Sequence, residues 1–271
     1  MKKNKLLNKV VVITGASGGI GYAIAQTLAG KGMKVYNISR SESKLPTLAG
    51  QFSADVNDGE KVEDILSQIY SKEGKIDVFI NNAGFGIGGA VEFASKESIY
   101  KQIDTNLSAL INLSRLSIKY LKQTQGNLIN ICSVGGIIPL PYQAVYSATK
   151  AGVDVFSRAL ANEVKQEKIK VSAILPGDTK TGFTKARIIE NNLADDQEKA
   201  KIQRSIEKFE KDEENGKSPD TVANVVVKIL KRKCPPLRKT VGLGYKVIVF
   251  LPRIVSTKFC NWIVRKLYCK K

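Results

Sequence analysis

The feature that most limits how this chain can fold is a recurrence of short, wholly apolar runs: Val10 to Ile13, Val35 to Ile38, Val78 to Ile80, Leu128 to Cys132 and Val171 to Leu175. A strand that is apolar at every residue has no face to offer water, so it belongs in a sheet covered on both sides. Between the runs lie amphipathic stretches with apolar residues three and four apart, at Gly19 to Lys31, Glu60 to Lys72, Tyr100 to Gln123, Val145 to Glu167 and Pro219 to Arg232. Helices at that period supply the cover and the crossovers that parallel strands need. The expected fold is α/β, a doubly wound parallel sheet of about seven strands with helices on both faces. A last strand is expected near Thr240 to Leu243, and the residues form one domain over 1–244 with a tail over 245–271. Lys185 to Lys217 is highly charged and poor in aromatic residues, which suits a solvated helical excursion. We expect 183–217 to be a mobile lid over a site.

The first apolar run passes directly into Thr14-Gly15-Ala16-Ser17-Gly18-Gly19-Ile20-Gly21, where a helical pattern opens. Glycines there allow a tight turn and close backbone approach, and the free N–H groups of a helix start attract a phosphate. Strand, glycine turn and helix in that order make a dinucleotide site the natural reading. The spacing of Gly15, Gly19 and Gly21 departs from the general GxGxxG pattern. Beyond the second run the sequence reads Ser39-Arg40-Ser41, where an acid would repel a ribose 2′-phosphate and a guanidinium flanked by hydroxyls would receive one. That points to NADP as the cofactor.

The chain contains no histidine, which removes Ser-His-Asp and Cys-His nucleophilic machines and the commonest metal ligand. Proton transfer falls to Tyr, Lys, Asp, Glu or Cys. Tyr146 and Lys150, four apart on an expected helix, emerge on one face, where the lysine cation would lower the phenol toward a useful pKa. Ser133 ends the run Leu128 to Cys132, where open parallel sheets bind ligands, and its hydroxyl could hold a substrate oxygen. Neighbouring Cys132 points the other way by strand alternation and is read as core packing.

The TGxxxGxG turn, Asn81-Asn82-Ala83-Gly84 after a strand, Ser133 at a strand end, and Tyr146 with Lys150 at YxxxK spacing together resemble the short-chain dehydrogenase/reductase family over about residues 8 to 245. The resemblance implies a single-domain Rossmann-like enzyme moving hydride between a nicotinamide and a carbonyl or alcohol. It implies a catalytic set of Asn106, Ser133, Tyr146 and Lys150, with Asn106 holding a water that relays protons to Lys150. Cofactor contacts implied with it are Gly15, Ser17, Gly18, Gly19, Ile20, Gly21, Ser39, Arg40, Asp55, Val56, Asn82, Ala83, Gly84, Tyr146, Lys150, Pro176, Gly177, Thr179 and Thr181. Asp55 would meet the adenine and Thr181 the nicotinamide carboxamide. Homodimers or homotetramers are usual in the family, and the substrate is a small-molecule carbonyl or alcohol.

Net charge is +18, but 13 Lys or Arg and no acid fall between Thr221 and Lys271, so the excess belongs to the tail. A nucleic-acid binder is therefore not expected. The tail mixes Val247 to Leu251, Pro252, and an apolar-periodic stretch through Phe259, Trp262, Ile263 and Leu267 with its basic residues. Two readings stay open: a cationic amphipathic contact with an anionic membrane surface, or packing that walls the substrate cleft. Members of the family with such tails lean toward bulky apolar, lipid- or steroid-like, or 3-oxo-acyl substrates. Cys132, Cys234, Cys260 and Cys269 form no closely spaced pair, so neither a zinc site nor a disulfide framework is expected, and a reducing cytoplasm is the expected compartment. Met1 to Lys9 lacks the long apolar stretch of a secretory signal and reads as a lead-in. The competing class is a non-catalytic NADP-binding sensor or scaffold, which has no need of an acid beside a cation.

Overall fold

The computed structural model describes residues 5–183, 186–191 and 194–269. Parts of three expected segments, residues 1–4 of the lead-in, 184, 185, 192 and 193 of the charged excursion, and 270–271 of the tail, lie outside the described residues. Seven strands form one parallel sheet: β1 (Val10–Thr14), β2 (Lys34–Ser39), β3 (Gly50–Ser53), β4 (Val78–Asn81), β6 (Asn127–Ile131), β7 (Lys170–Leu175) and β9 (Arg238–Thr240). Their order is β3-β2-β1-β4-β6-β7-β9. Two-residue strands β5 (Ile87–Gly88) and β8 (Ile188–Ile189) pair separately.

Strand alternation divides the core. Val11 and Ile13 of β1 face α1 (Gly19–Ala29) and α7 (Asp220–Leu230), packing on Ile24, Leu28, Val222 and Val226. Val10 and Val12 face α2 (Gly59–Glu73), α4 (Ala109–Thr124) and α5 (Ala144–Glu163), packing with Leu66, Leu113 and Leu160. Each such side chain taken fully out of water contributes ~1.5–3 kcal/mol. This two-sided burial is the doubly wound fold that the apolar runs require.

Local chemistry sets the helix limits. Asp58 caps α2 by accepting from Lys61 N at 3.0 Å, and Gly74 closes it in a left-handed conformation with φ 70. The expected helix Tyr100 to Gln123 is instead α3 (Lys96–Ile103) and α4, joined by a π-turn over Asp104–Ser108. The apolar period runs through that insertion, so it leaves no mark in the pattern. The expected strand Thr240 to Leu243 is corrected to Arg238–Thr240, because Gly242 at φ 92 breaks the extended chain before helix α8 (Leu243–Phe250). Edge strand β3 was not expected, since a half-buried four-residue piece has no apolar run to announce it. The charged excursion holds β8 and α6 (Asp196–Glu214), which buries Ile202, Ile206 and Phe209. The tail forms α8 and α9 (Thr257–Tyr268), with Ser256 capping the second.

Candidate active site

Strand order reverses direction of growth between β1 and β4, and there the ends of two adjacent strands open a crevice. Thr14 closes β1, and its hydroxyl accepts from Asn82 N at 3.0 Å and Ala83 N at 3.1 Å, tying the glycine turn to the strand end across the crevice. Asn82 returns the bond, its amide donating to Thr14 O at 2.9 Å and Gly15 O at 3.1 Å. Gly15 has φ +70, and a Cβ on Gly21 would lie 2.4 Å from both Asn82 Nδ2 and Gly15 O, so backbone packing demands glycine there. Helix α1 begins after Gly18 with no side-chain cap and no acid in its first turn, leaving its N–H groups for an outside anion. Ser17 and Gly18 are exposed beside it, while Ile20 is anchored against the core. These residues fit a dinucleotide pyrophosphate.

At the end of β2, Ser39 is buried and donates to Ser41 O at 2.7 Å, so its proton is already committed. Arg40 is 72% exposed and its Nη1 lies 3.9 Å from Asp55 Oδ2. Val56 is buried next to Asp55. Asn81 donates to Ser114 Oγ and Asn130 Oδ1, cross-linking the central sheet, which accounts for the structural share of the Asn-Asn-Ala-Gly run. Gly84 lies between Asn106 and Lys150: a Cβ there would be 3.0 Å from Asn106 Oδ1 and 3.7 Å from Lys150 Nζ. After β7, Pro176 O accepts from Val134 N at 2.9 Å, and Thr179 Oγ1 donates to Gly177 O at 2.8 Å. Thr181 hangs over the glycine turn, its side chain 3.5 Å from a Cβ built on Gly19.

Tyr146 and Lys150 leave α5 on one face, with Lys150 Nζ 5.8 Å from the Tyr146 ring centroid. Gly136 lets the turn after Ser133 press on that helix, since a Cβ would sit 2.6 Å from the Lys150 carbonyl carbon. Ser133 and Tyr146 are hydrogen-bonded, and Ser133 Oγ accepts from Gly135 N at 3.0 Å. The expected lowering of the phenol is not what the polypeptide produces. Burial pushes Tyr146 up to about 12, opposed by the bond to Ser133, and Lys150 does not offset it. Lys150 is itself lowered by burial, and its Nζ donates to Ile131 O at 3.0 Å. The site therefore holds a protonated phenol, which is the form that gives a proton away. Asn106 sits in the π-turn with its amide engaged by Phe85, accepting from N at 3.0 Å and donating to O at 2.9 Å. Its side chain braces the Gly84–Phe85 backbone. Cys132 is buried, donates to Lys150 O at 2.9 Å and has its thiol pushed up to about 11 by burial, so it packs and does not attack.

Five neighbours of the site carry no sequence signal. Phe183 lies 5.9 Å from the Tyr146 ring, with Arg187 stacked beyond it and paired to Glu213. The Tyr245 ring covers Gly177, within 2.4 Å of where a Cβ would stand, and its hydroxyl donates to Asp178. A ring at the start of the tail and an arginine in a charged run look like surface residues until the chain folds.

A sequence model of the short chain dehydrogenase family matches residues 9–192. The chain is 40% identical over 236 residues to a 3-ketodihydrosphingosine reductase of Bacteroides thetaiotaomicron, covering 86% of this chain and 88% of that one. It is 36% identical over 197 residues to the 3-oxoacyl-(acyl-carrier-protein) reductase FabG of Escherichia coli, covering 70% and 78%. A short-chain dehydrogenase structure from Streptomyces avermitilis superposes with a TM-score of 0.81 at 25% identity, over 98% of both chains. With the glycine turn, the sheet order and the Ser, Tyr and Lys gathered at one crevice, the chain belongs to the short-chain dehydrogenase family, oxidoreductases that use a nicotinamide cofactor.

Proposed function

We propose that this protein is an NADP(H)-dependent reductase of the 3-oxo group of a long-chain, lipid-like substrate, with Tyr146 as its acid. The observation that carries the reading is the gathering of Tyr146, half-buried and with its phenol raised by desolvation, with Ser133 and Lys150 at one crevice, across from an uncapped α1. A bound nicotinamide supplies the hydride. Ser133 and Tyr146 hold the substrate oxygen, and Tyr146 delivers the proton as the alcohol forms. Lys150, its ammonium held by Ile131 O, steadies the ribose side and refills the proton. The π-turn places Asn106 beside Gly84 and Lys150, where it would hold the relaying water. Gly15 to Gly21 hold the pyrophosphate, Asp55 and Val56 border the adenine, Asn82 to Gly84 back the cofactor, and Pro176, Gly177, Thr179 and Thr181 frame the nicotinamide. Arg40, mostly exposed at the end of β2, is free to turn toward a 2′-phosphate. The names of the two relatives support a 3-oxo substrate. Residues 183–217 form the substrate lid.

One face of the tail packs on the body through Tyr245, Cys260, Val264 and Tyr268, the last stacked 4.4 Å from Phe209 of α6. That arrangement suits a cleft wall. The other face leaves Leu243, Val247, Phe250, Ile254, Phe259 and Trp262 exposed among Lys246, Arg253, Lys258 and Lys266, which suits an anionic bilayer. No helix among the described residues is long and apolar enough to cross a membrane. A homodimer or homotetramer would bury exposed apolar residues such as Ile111 of α4 and Val155 of α5.

Oxidation of NADPH by the purified chain against long-chain 3-oxo compounds, plain ketones and steroids tests the reading, with NADH in parallel. Turnover of 3-oxo compounds with NADPH is expected. Tight dinucleotide binding without turnover on the whole panel would favour a sensor instead. Flotation with phosphatidylglycerol vesicles tests the tail: the full chain should float and a chain ending at residue 242 should not.

A further inference from the structure

Arg187 precedes β8 and is packed inside the protein, its side chain 1% exposed. One terminal nitrogen, Nη2, donates to Glu213 of α6, which meets its charge. Nε and Nη1 find no acceptor among the described residues. A guanidinium carries one N–H on Nε and two on Nη1, so three donors are out of water and unclaimed, an arrangement proteins rarely keep without a use.

Their location suggests the use. The Arg187 guanidinium carbon lies 5.9 Å from the Phe183 ring centroid, and Phe183 lies 5.9 Å from the Tyr146 ring. A Cβ on Gly86 would be 3.8 Å from Arg187 Nε, as one on Gly84 would be 3.7 Å from Lys150 Nζ. Two residues of chain span at most about 7 Å, so the free donors sit within one small molecule's length of the proton-transfer groups. Glycine at 86 and 88 lets these side chains pack directly on the backbone: a Cβ on Gly86 would stand 3.1 Å from the Phe183 ring, and one on Gly88 3.2 Å from Arg187 Cδ. The arginine lacks acceptors, not counter-charge, and it cannot itself accept from a substrate N–H.

We infer that Arg187 is a specificity-determining residue that binds a neutral oxygen on the first carbon of a 3-oxo substrate, placing the 3-oxo carbon at Tyr146. This rests on the carbonyl-reductase reading and deepens it. The oxygen can be a hydroxyl or a carbonyl, both of which accept.

Three ketones of equal chain length separate these sources: 1-hydroxytetradecan-3-one, methyl 3-oxotetradecanoate and tetradecan-3-one. Affinity for each is measured by calorimetry on the NADP+-loaded protein, and turnover is measured separately with NADPH. The wild type should bind at least one oxygenated ketone ~10-fold or more tightly than tetradecan-3-one, the scale of a hydrogen bond to a charged donor. In Arg187→Met that preference should shrink to within ~3-fold. Because Arg187→Met removes the cation paired with Glu213, the double variant Arg187→Met, Glu213→Leu replaces the pair with apolar residues and should show the same loss. Equal wild-type affinity for all three ketones, or a preference that survives in either variant, overturns the inference. A preference that depends on Arg187, seen without turnover of any ketone, upholds it and sinks the reductase reading instead.

Discussion

Tyr146 shows how a half-buried phenol is prepared by its surroundings. Desolvation pushes its pKa up to about 12, and Ser133 opposes that rise. Tyr146→Phe should lower kcat/KM for reduction by ~10²–10⁴, the usual worth of a positioned acid, while the NADPH dissociation constant moves little. An unchanged rate would remove Tyr146 from the chemistry. The pKa direction also fixes the sign of the pH effect. Below 12 the phenol keeps its proton, so reduction should not fall as pH rises from ~7 to ~9, whereas oxidation, which needs the phenolate, should rise with pH. A reduction profile that falls with a midpoint near neutrality would contradict this. Arg40→Ala should weaken NADPH binding by ~10-fold or more and leave NADH binding nearly unchanged, read by titration of each dinucleotide. Tyr146, Lys150 and Ser133 were legible in the sequence because their spacing on a helix and at a strand end is local. The raised pKa was not, because desolvation depends on what packs around the ring.

Among the elements, the glycine turn and α1 are the part most fully fixed by local sequence. Gly18 and Gly21 stand three residues apart at the same helix start, yet they differ in what they tolerate. A Cβ on Gly21 would overlap Asn82 and Gly15 O at 2.4 Å, whereas one on Gly18, at φ −164, meets nothing within 4 Å. Gly21→Ala should cost ~1–3 kcal/mol by overpacking and Gly18→Ala less, up to ~1 kcal/mol from the poorer cap, compared by thermal melting without cofactor. Equal losses would mean that the turn yields where the packing says it cannot. The π-turn at Asn106 and the separation of α8 from α9 were less legible. The first hides inside a continuous apolar period, and the second depends on Pro252 falling between two short helices that only tertiary contacts stabilise.

Across the whole molecule, half-buried tyrosines bind the tail to the body of the fold. Tyr245 reaches Asp178 after β7, and Tyr268 reaches Asp212 of α6 at 3.5 Å while stacking on Phe209. Burial and the neighbouring carboxylates raise both phenols above the ordinary value, and Tyr36 and Tyr146 are pushed up to about 12. Below pH ~10 folded and unfolded chains both hold these protons. Above it the unfolded chain releases them first, so the folded state binds more protons and stability falls with rising pH. Melting temperature should therefore drop steadily from pH ~10 upward, and Tyr245→Phe should make the drop shallower. A steepness unaffected by that change would place Tyr245 outside the buried network.

The five apolar strands of the sheet, their two-sided cover, the glycine turn before α1 and the Ser, Tyr and Lys of the crevice are legible in the chain alone, because each is written in short-range periodicity or in spacings along one element. Tertiary structure alone decided that Arg187 would lie buried with unclaimed donors near Tyr146, that Tyr245 would cap Gly177, and that one face of a basic tail would pack while the other stayed open. Those outcomes depend on residues tens to more than a hundred positions apart meeting in a low-dielectric interior, where a charge or a phenol acquires properties its neighbours in sequence do not confer.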